Sequence, residues 1–153
     1  QDVMDGIVGA GAARVILPIT DPYVVHHGAL GSFATVYLPD GVDQSSVVSK
    51  LAAVPGIQKV YDKKHGCAEF ELPEDRLGDL IVVSEKSKVL GPSADRHDLS
   101  QLKEPLRSHG GVTEQKVPLI VTRHADIEAG KRLRNFDVFD VALNHTALAA
   151  NAA

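Results

Sequence analysis

Residues 33–38 (FATVYL) alternate along the chain in the period-two manner of a strand with one covered face. Upstream, residues 1–9 (QDVMDGIVG) set Val3, Met4, Ile7 and Val8 at helical spacing, with Gly9 and Gly11 as stop signals. Residues 14–20 (RVILPIT) are a dense β-branched run, hence a strand, and Pro18 marks it as an edge or an irregularity. Residues 21–32 (DPYVVHHGALGS) are rich in turn formers. After the turn Pro39-Asp40-Gly41, Asp43 or Ser45 can cap a helix over 44–54, which Pro55-Gly56 ends. Residues 57–61 (IQKVY) and 67–72 (CAEFEL) predict two more strands, joined hairpin-fashion by Asp-Lys-Lys-His-Gly. Residues 14–72 therefore predict the order β-β-α-β-β, a sheet covered on one face by one helix.

Beyond this the pattern changes. Residues 79–84 (DLIVVS) are continuously apolar, as expected of a strand buried on both faces in an α/β core. Residues 85–108 read as a mostly polar loop, and 117–122 (VPLIVT) as a second buried strand. Residues 135–149 predict an amphipathic helix, with Phe136, Phe139, Leu143 and Leu148 on one broad face and Asn135 as N-cap. Two strands and a helix do not make a stable α/β domain, and the inner strand edge would lack a partner. The chain also opens at Gln1, without a methionine and inside a helical pattern. The expectation is a piece of a larger α/β protein: residues 1–13 the end of a core-domain helix, 14–76 an inserted α+β cap, and 77–153 the C-terminal part of the core, with the N-terminal half of that core missing.

Composition narrows the function classes. The 153 residues are 44% hydrophobic and 24% charged, ordinary for a globular domain. A net charge of -4 and a pI near 5.9 lack the basic surplus of a nucleic-acid footprint. No apolar run reaches the roughly 20 residues that span a bilayer, and no basic start precedes a short apolar block. The single cysteine, Cys67, reads as a small buried hydrophobe and fits a reducing compartment, so a cytoplasmic location is expected.

Seven histidines are present, at 26, 27, 65, 97, 109, 124 and 145. His109 has the most telling context: Gly110 and Gly111 follow it and permit a sharp backbone path, and the apolar run 117–122 comes soon after. Loops beside core strands are where α/β enzymes place ligands, and neutral imidazole is a favoured zinc donor. A lone histidine is not a metal motif, however, and a plain turn with an exposed histidine accounts for the local sequence as well. Glu114 is either an ordinary surface carboxylate or a partner that orients the loop.

The segments PEDRLGDLIVVSEKSKVLG, DRHDLSQLKEPLRSHGGVTEQKVPLIV and NFDVFDVAL together resemble the C-terminal run of phosphonoacetate hydrolases, in the nucleotide pyrophosphatase/phosphodiesterase branch of the alkaline-phosphatase superfamily. ITDPYVVHHGALGSFATVYLP is similar to the start of that group's cap domain. The resemblance implies the C-terminal edge of an alkaline-phosphatase-like α/β sheet carrying the β-β-α-β-β cap. It implies two zinc ions held by aspartates and histidines, with a threonine nucleophile. The histidine of the family's His-Gly-Gly is its last zinc ligand, here His109; the other ligands and the threonine lie upstream of Gln1. Asp95-Arg96-His97-Asp98 matches a family segment without ligand assignment and reads as structural. The implied reaction is cleavage of the C–P bond of phosphonoacetate to acetate and phosphate, a step of phosphonate breakdown, with the present chain inactive by itself. A substrate this anionic calls for cationic clamps, and His26, His27, Lys63, Lys64 and His65 are the candidates the cap offers. Lys63-Lys64 reads equally as a solvated turn. The expected partners are a small phosphonate and the missing N-terminal half, with a homodimer left open and neither nucleic acid nor membrane involved. A phosphodiesterase or pyrophosphatase of the same superfamily, or a non-catalytic α+β binding module, are the alternatives.

Overall fold

A computed structural model describes residues 1–18, 31–93, 96, 97, 100, 103 and 111–146. The chain divides into two compact units, Gln1–Gln115 and Lys116–Ala153.

The first unit is built on a four-stranded antiparallel sheet. Helix α1 (Asp2–Val8) leads into β1 (Arg14–Ile16), β2 (Phe33–Tyr37), helix α2 (Gln44–Ala52), β3 (Ile57–Asp62), helix α3 (Lys63–Phe70) and β4 (Leu80–Ser84). The spatial order is β1-β2-β4-β3. Phe33 pairs with Val83 and Val36 with Leu80 on one side of β4; Asp62 pairs with Leu80 and Ile57 with Ser84 on the other. β4 is thus the central strand, and all five of its residues are buried.

The alternation along β4 explains that burial. Leu80 and Val82 face a core with Met4, Ala34, Val36, Val47 and Leu51, contributed by α1, α2 and β2. Ile81 faces α3, where Gly66 sits so close that a Cβ there would lie 2.6 Å from Ile81 Cδ1. Each fully buried Leu, Ile or Val contributes about 1.5–3 kcal/mol. The expectation of a strand buried on both faces at 79–84 holds, but the layers covering it are α1 and α2 on one side and α3 on the other. β4, placed by the sequence reading in the core segment 77–153, shares one sheet with β1, β2 and β3.

The anticipated helix after Asp43 forms, and Asp43 caps it by accepting from the Ser45 N–H at 3.0 Å and the Ser45 hydroxyl at 2.7 Å. Gln1 ties α1 to the sheet: its side-chain amide donates to the Ala13 carbonyl at 2.9 Å and accepts from the Val15 N–H at 3.2 Å.

Three expectations need correction. Residues 67–72 are not a strand; they belong mostly to α3. Asp62 caps that helix, its carboxylate accepting from the His65 N–H at 2.9 Å, and Glu71 ends it in the left-handed region at φ 54. Helical spacing puts Gly66, Cys67 and Phe70 on one side, where Phe70 meets Phe33 and Tyr61 edge to face at 6.1 and 5.4 Å. The strand role expected of 67–72 falls to β4, giving β-β-α-β-α-β. Second, residues 117–122 form no strand: Val117 and Ile120 are 75% and 82% exposed. An apolar run becomes a strand only when it pairs with another, and 117–122 pairs with none of the described strands. Third, the helix expected over 135–149 is the short α4 (Asp137–Asp140) followed by a π-helical turn, Val141–His145; its N-cap is Phe136 rather than Asn135. Phe136, Phe139 and Leu143 are exposed instead of sharing a buried face. Leu148 lies outside the described residues. Among the described residues no helix is long and apolar enough to cross a membrane.

Candidate functional site

His26, His27 and His109 lie outside the described residues, as do Asp95 and Asp98; the residues that follow the histidine-bearing segments are described. Gly31 bridges Leu90 through two backbone hydrogen bonds, Gly31 N–H to the Leu90 carbonyl at 3.3 Å and the reverse at 2.7 Å. Ser32 is buried, and its carbonyl accepts from the Ser84 N–H at 3.1 Å, which fixes it to the end of β4. Gly111 packs directly on Ser32: a Cβ on Gly111 would stand 2.8 Å from Ser32 Cβ and 3.0 Å from its Oγ. Gly111 also accepts at its carbonyl from the Glu114 N–H at 3.0 Å, while its own N–H donates to the Glu114 carboxylate at 3.1 Å. The chain leaving His26-His27 and the chain leaving His109 therefore meet at Ser32 and Gly111. Glu114 closes the turn Val112–Glu114, which opens at Gly111.

Lys63 lies at the other end of the strand. Its backbone N–H donates to the Asp79 carbonyl at 2.9 Å, and its ammonium stands 3.6 Å from the Asp79 carboxylate. Asp79 in turn accepts from the Leu38 N–H at 2.8 Å. From Asp79 to Ser84 the chain runs the length of β4, about 16 Å at 3.3 Å per residue. The structure does not bring Lys63 to the Ser32–Gly111 junction, and Lys64 beside it is exposed.

One arrangement escaped the sequence reading. Gly78 N–H donates to Thr35 Oγ1 at 2.7 Å, and that hydroxyl donates to the Leu80 carbonyl at 3.2 Å. A Cβ at Gly78 would lie 2.4 Å from the Val36 carbonyl oxygen. Gly78-Asp79 is thus a backbone-to-backbone seam where β4 enters the sheet. Its signal in the sequence is the Gly-Asp pair directly before an apolar run.

Electrostatics elsewhere follow local bonding. The His65 N–H, then its ring, holds the Asp62 carboxyl below the usual carboxylate range. Burial pushes the Cys67 thiol up. In the second unit, His145 bridges the Asp126 carbonyl at 2.9 Å and Asp140 Oδ2 at 3.2 Å, and the Asn144 amide donates to Asp140 Oδ1 at 2.7 Å. The first of these ties the π-helical turn to Asp126, whose neighbour Ala125 bridges Thr146. Among the described residues no group of three or more His, Cys, Asp or Glu could hold a metal ion. A zinc site needs three or four protein donors, so these residues do not fit the group unaided.

No protein-family model matches the chain. Among solved structures, the chain is similar over 91% of its length to a hydrolase, with a TM-score of 0.77 and 59% sequence identity. That hydrolase is the phosphonoacetate hydrolase of Sinorhizobium meliloti 1021, solved in complex with phosphonoformate and, with the same figures, with phosphonoacetate. A phosphonoacetate hydrolase of Penicillium oxalicum is 61% identical over 31 residues, 20% of this chain and 43% of that one. The chain is thus similar to phosphonoacetate hydrolases, as its sequence resemblance implied, and it spans 34% of the length of the solved one.

Proposed function

We propose that this chain is the C-terminal part of a phosphonoacetate hydrolase and supplies its zinc centre with one ligand, His109. The observation that carries the reading is 59% identity across 91% of the chain to an enzyme of that name, at a TM-score of 0.77. In the reaction proposed for the whole enzyme, the P–C bond of phosphonoacetate breaks and a P–O bond forms. The oxygen comes from water, and the methylene carbon takes a proton, so that phosphate and acetate result. A threonine nucleophile, the remaining zinc donors and the rest of an alkaline-phosphatase-like sheet come from sequence outside these 153 residues. The segment 14–76 serves as its cap, and the cytoplasm is its compartment.

One feature of the geometry supports a choice among the cationic candidates. Lys63 is engaged with Asp79 at the far end of β4, whereas Ser32 and Gly111 meet at the near end. The proposal therefore gives the substrate carboxylate to the His26-His27 segment and leaves Lys63 and Lys64 out of the site.

The test is a chimera that joins this chain in frame to the part of the Sinorhizobium meliloti enzyme it does not cover. The chimera should bind zinc and release phosphate from phosphonoacetate. His109→Ala should lose one zinc and the activity, while His97→Ala should keep its metal. Metal content unchanged by His109→Ala would defeat the assignment, and phosphate release by the 153-residue chain alone would show that the site is complete without upstream residues.

A further inference from the structure

We propose that Ser32, Gly111 and Glu114 form a latch that fixes the loop after His109 against the end of β4, with Glu114 as a positioning residue for that loop; its role at the metal rests on the reading of His109 above. Three observations converge on it. The backbone at Gly111 is extended, with φ -107 and ψ -167, a conformation open to any residue. Nothing in its own torsions demands glycine. Among the described residues the demand comes from Ser32, whose Cβ would stand 2.8 Å from a Cβ on residue 111. Ser32 cannot retreat, because its carbonyl holds the Ser84 N–H at 3.1 Å and the preceding Gly31 is doubly bonded to Leu90.

Glu114 closes the other side. Its carboxylate takes the Gly111 N–H at 3.1 Å, and its own N–H returns a bond to the Gly111 carbonyl at 3.0 Å. Both polar groups of Gly111 are thereby committed to one residue, and its bare α-carbon is pressed on another. His109 is covalently two residues away, so the latch sets the point from which its loop departs. It also anchors that loop to the residue at which the His26-His27 segment enters β2. A ligand delivered to a bimetallic centre must be held to within a fraction of an ångström, which a free Gly-Gly hinge does not do.

The experiment uses the 153-residue chain without metal, read by thermal unfolding, amide hydrogen exchange at Gly111 and the NMR ring resonances of His109. Gly111→Ala should lower the unfolding midpoint and shift the His109 resonances. Adding Ser32→Gly, which removes the blocking carbon, should restore both. Glu114→Ala should speed Gly111 exchange at least about tenfold, the usual reach of one lost hydrogen bond, and Glu114→Gln, which keeps an acceptor oxygen, should retain most of the protection. Gly111→Ala without effect on the His109 ring, or Ser32→Gly failing to rescue, overturns the latch. In the chimera, zinc affinity separates the two claims. If His109→Ala strips zinc while Glu114→Ala leaves its affinity unchanged, the latch has no role at the metal although the ligand assignment stands. If His109→Ala leaves zinc in place, the ligand assignment fails, and the latch is judged by exchange and ring resonances alone.

Discussion

Replacing Gly78 by alanine tests the account of how β4 enters its sheet. The new Cβ would stand 2.4 Å from the Val36 carbonyl oxygen, 2.6 Å from the Val36 carbonyl carbon and 2.8 Å from Thr35 Oγ1. The obstacles are chiefly backbone atoms of β2, which pairs with β1 on one side and β4 on the other and has no free direction. Separation must pull Gly78 away from Thr35 Oγ1, now at 2.7 Å, and strain the Leu38–Asp79 bond at 2.8 Å. Overpacking costs about 1–3 kcal/mol, and each weakened hydrogen bond about 1 kcal/mol. The expected loss is about 3–5 kcal/mol, a large part of the roughly 5–15 kcal/mol that holds a domain together. Gly66→Ala is the control. Its Cβ would meet Ile81 Cδ1 at 2.6 Å and the Cβ atoms of Ile81 and Tyr61 at 3.1 Å, side-chain rather than main-chain atoms, and alanine regains about 1 kcal/mol of helix propensity in α3. Urea denaturation followed by circular dichroism reads both variants, with the slope m checked for constancy. A Gly78→Ala midpoint equal to that of the parent, or a cost no greater than that of Gly66→Ala, would refute the seam.

Further outcomes follow from the same packing. Leu80→Ala should cost about 2–5 kcal/mol in the isolated chain, whereas Ile120→Ser, at a position 82% exposed, should stay within about 0.5 kcal/mol; equal costs would contradict the burial described. Because its folded-state pKa is lowered from the ordinary 3.8, Asp62 stabilises α3 at pH values above that figure, and this contribution is lost as the pH falls through the lowered value. Asp62→Asn should therefore flatten the acid limb of the stability curve, and an unchanged limb would remove the cap from the account. Cys67, buried and with its thiol pushed up, should react with a disulfide reagent far more slowly in the native chain than in urea at neutral pH; equal rates would place it at the surface.

What the sequence made legible was local. Asp43 before an apolar-periodic run, Pro55-Gly56 after it, and the alternation of 33–38 each carry their own physics within a few residues. The segment 67–72 did not, since Cys67, Phe70 and Leu72 suit either period; what decides it is Asp62, an N-cap hidden inside what read as a hairpin turn. The identity of β4's neighbours was illegible for a different reason: pairing between Phe33 and Val83 joins positions far apart, and no local pattern encodes which strand a buried strand will choose. Residues 117–122 show the converse error, hydropathy read as structure where the run pairs with none of the described strands. At the candidate site, His109 stood out through its two glycines and the family resemblance. Ser32 did not, because its importance is a close approach made by Gly111, and a single serine beside a glycine advertises nothing.

The central place of β4 has a consequence for synthesis on the ribosome. Until Ser84 has cleared the exit tunnel, this sheet consists of a β1-β2 ribbon and a separate β3, since β4 lies between them in the strand order. Assembly of this sheet is a single late closure, and its earlier strands must wait for the piece that locks them together.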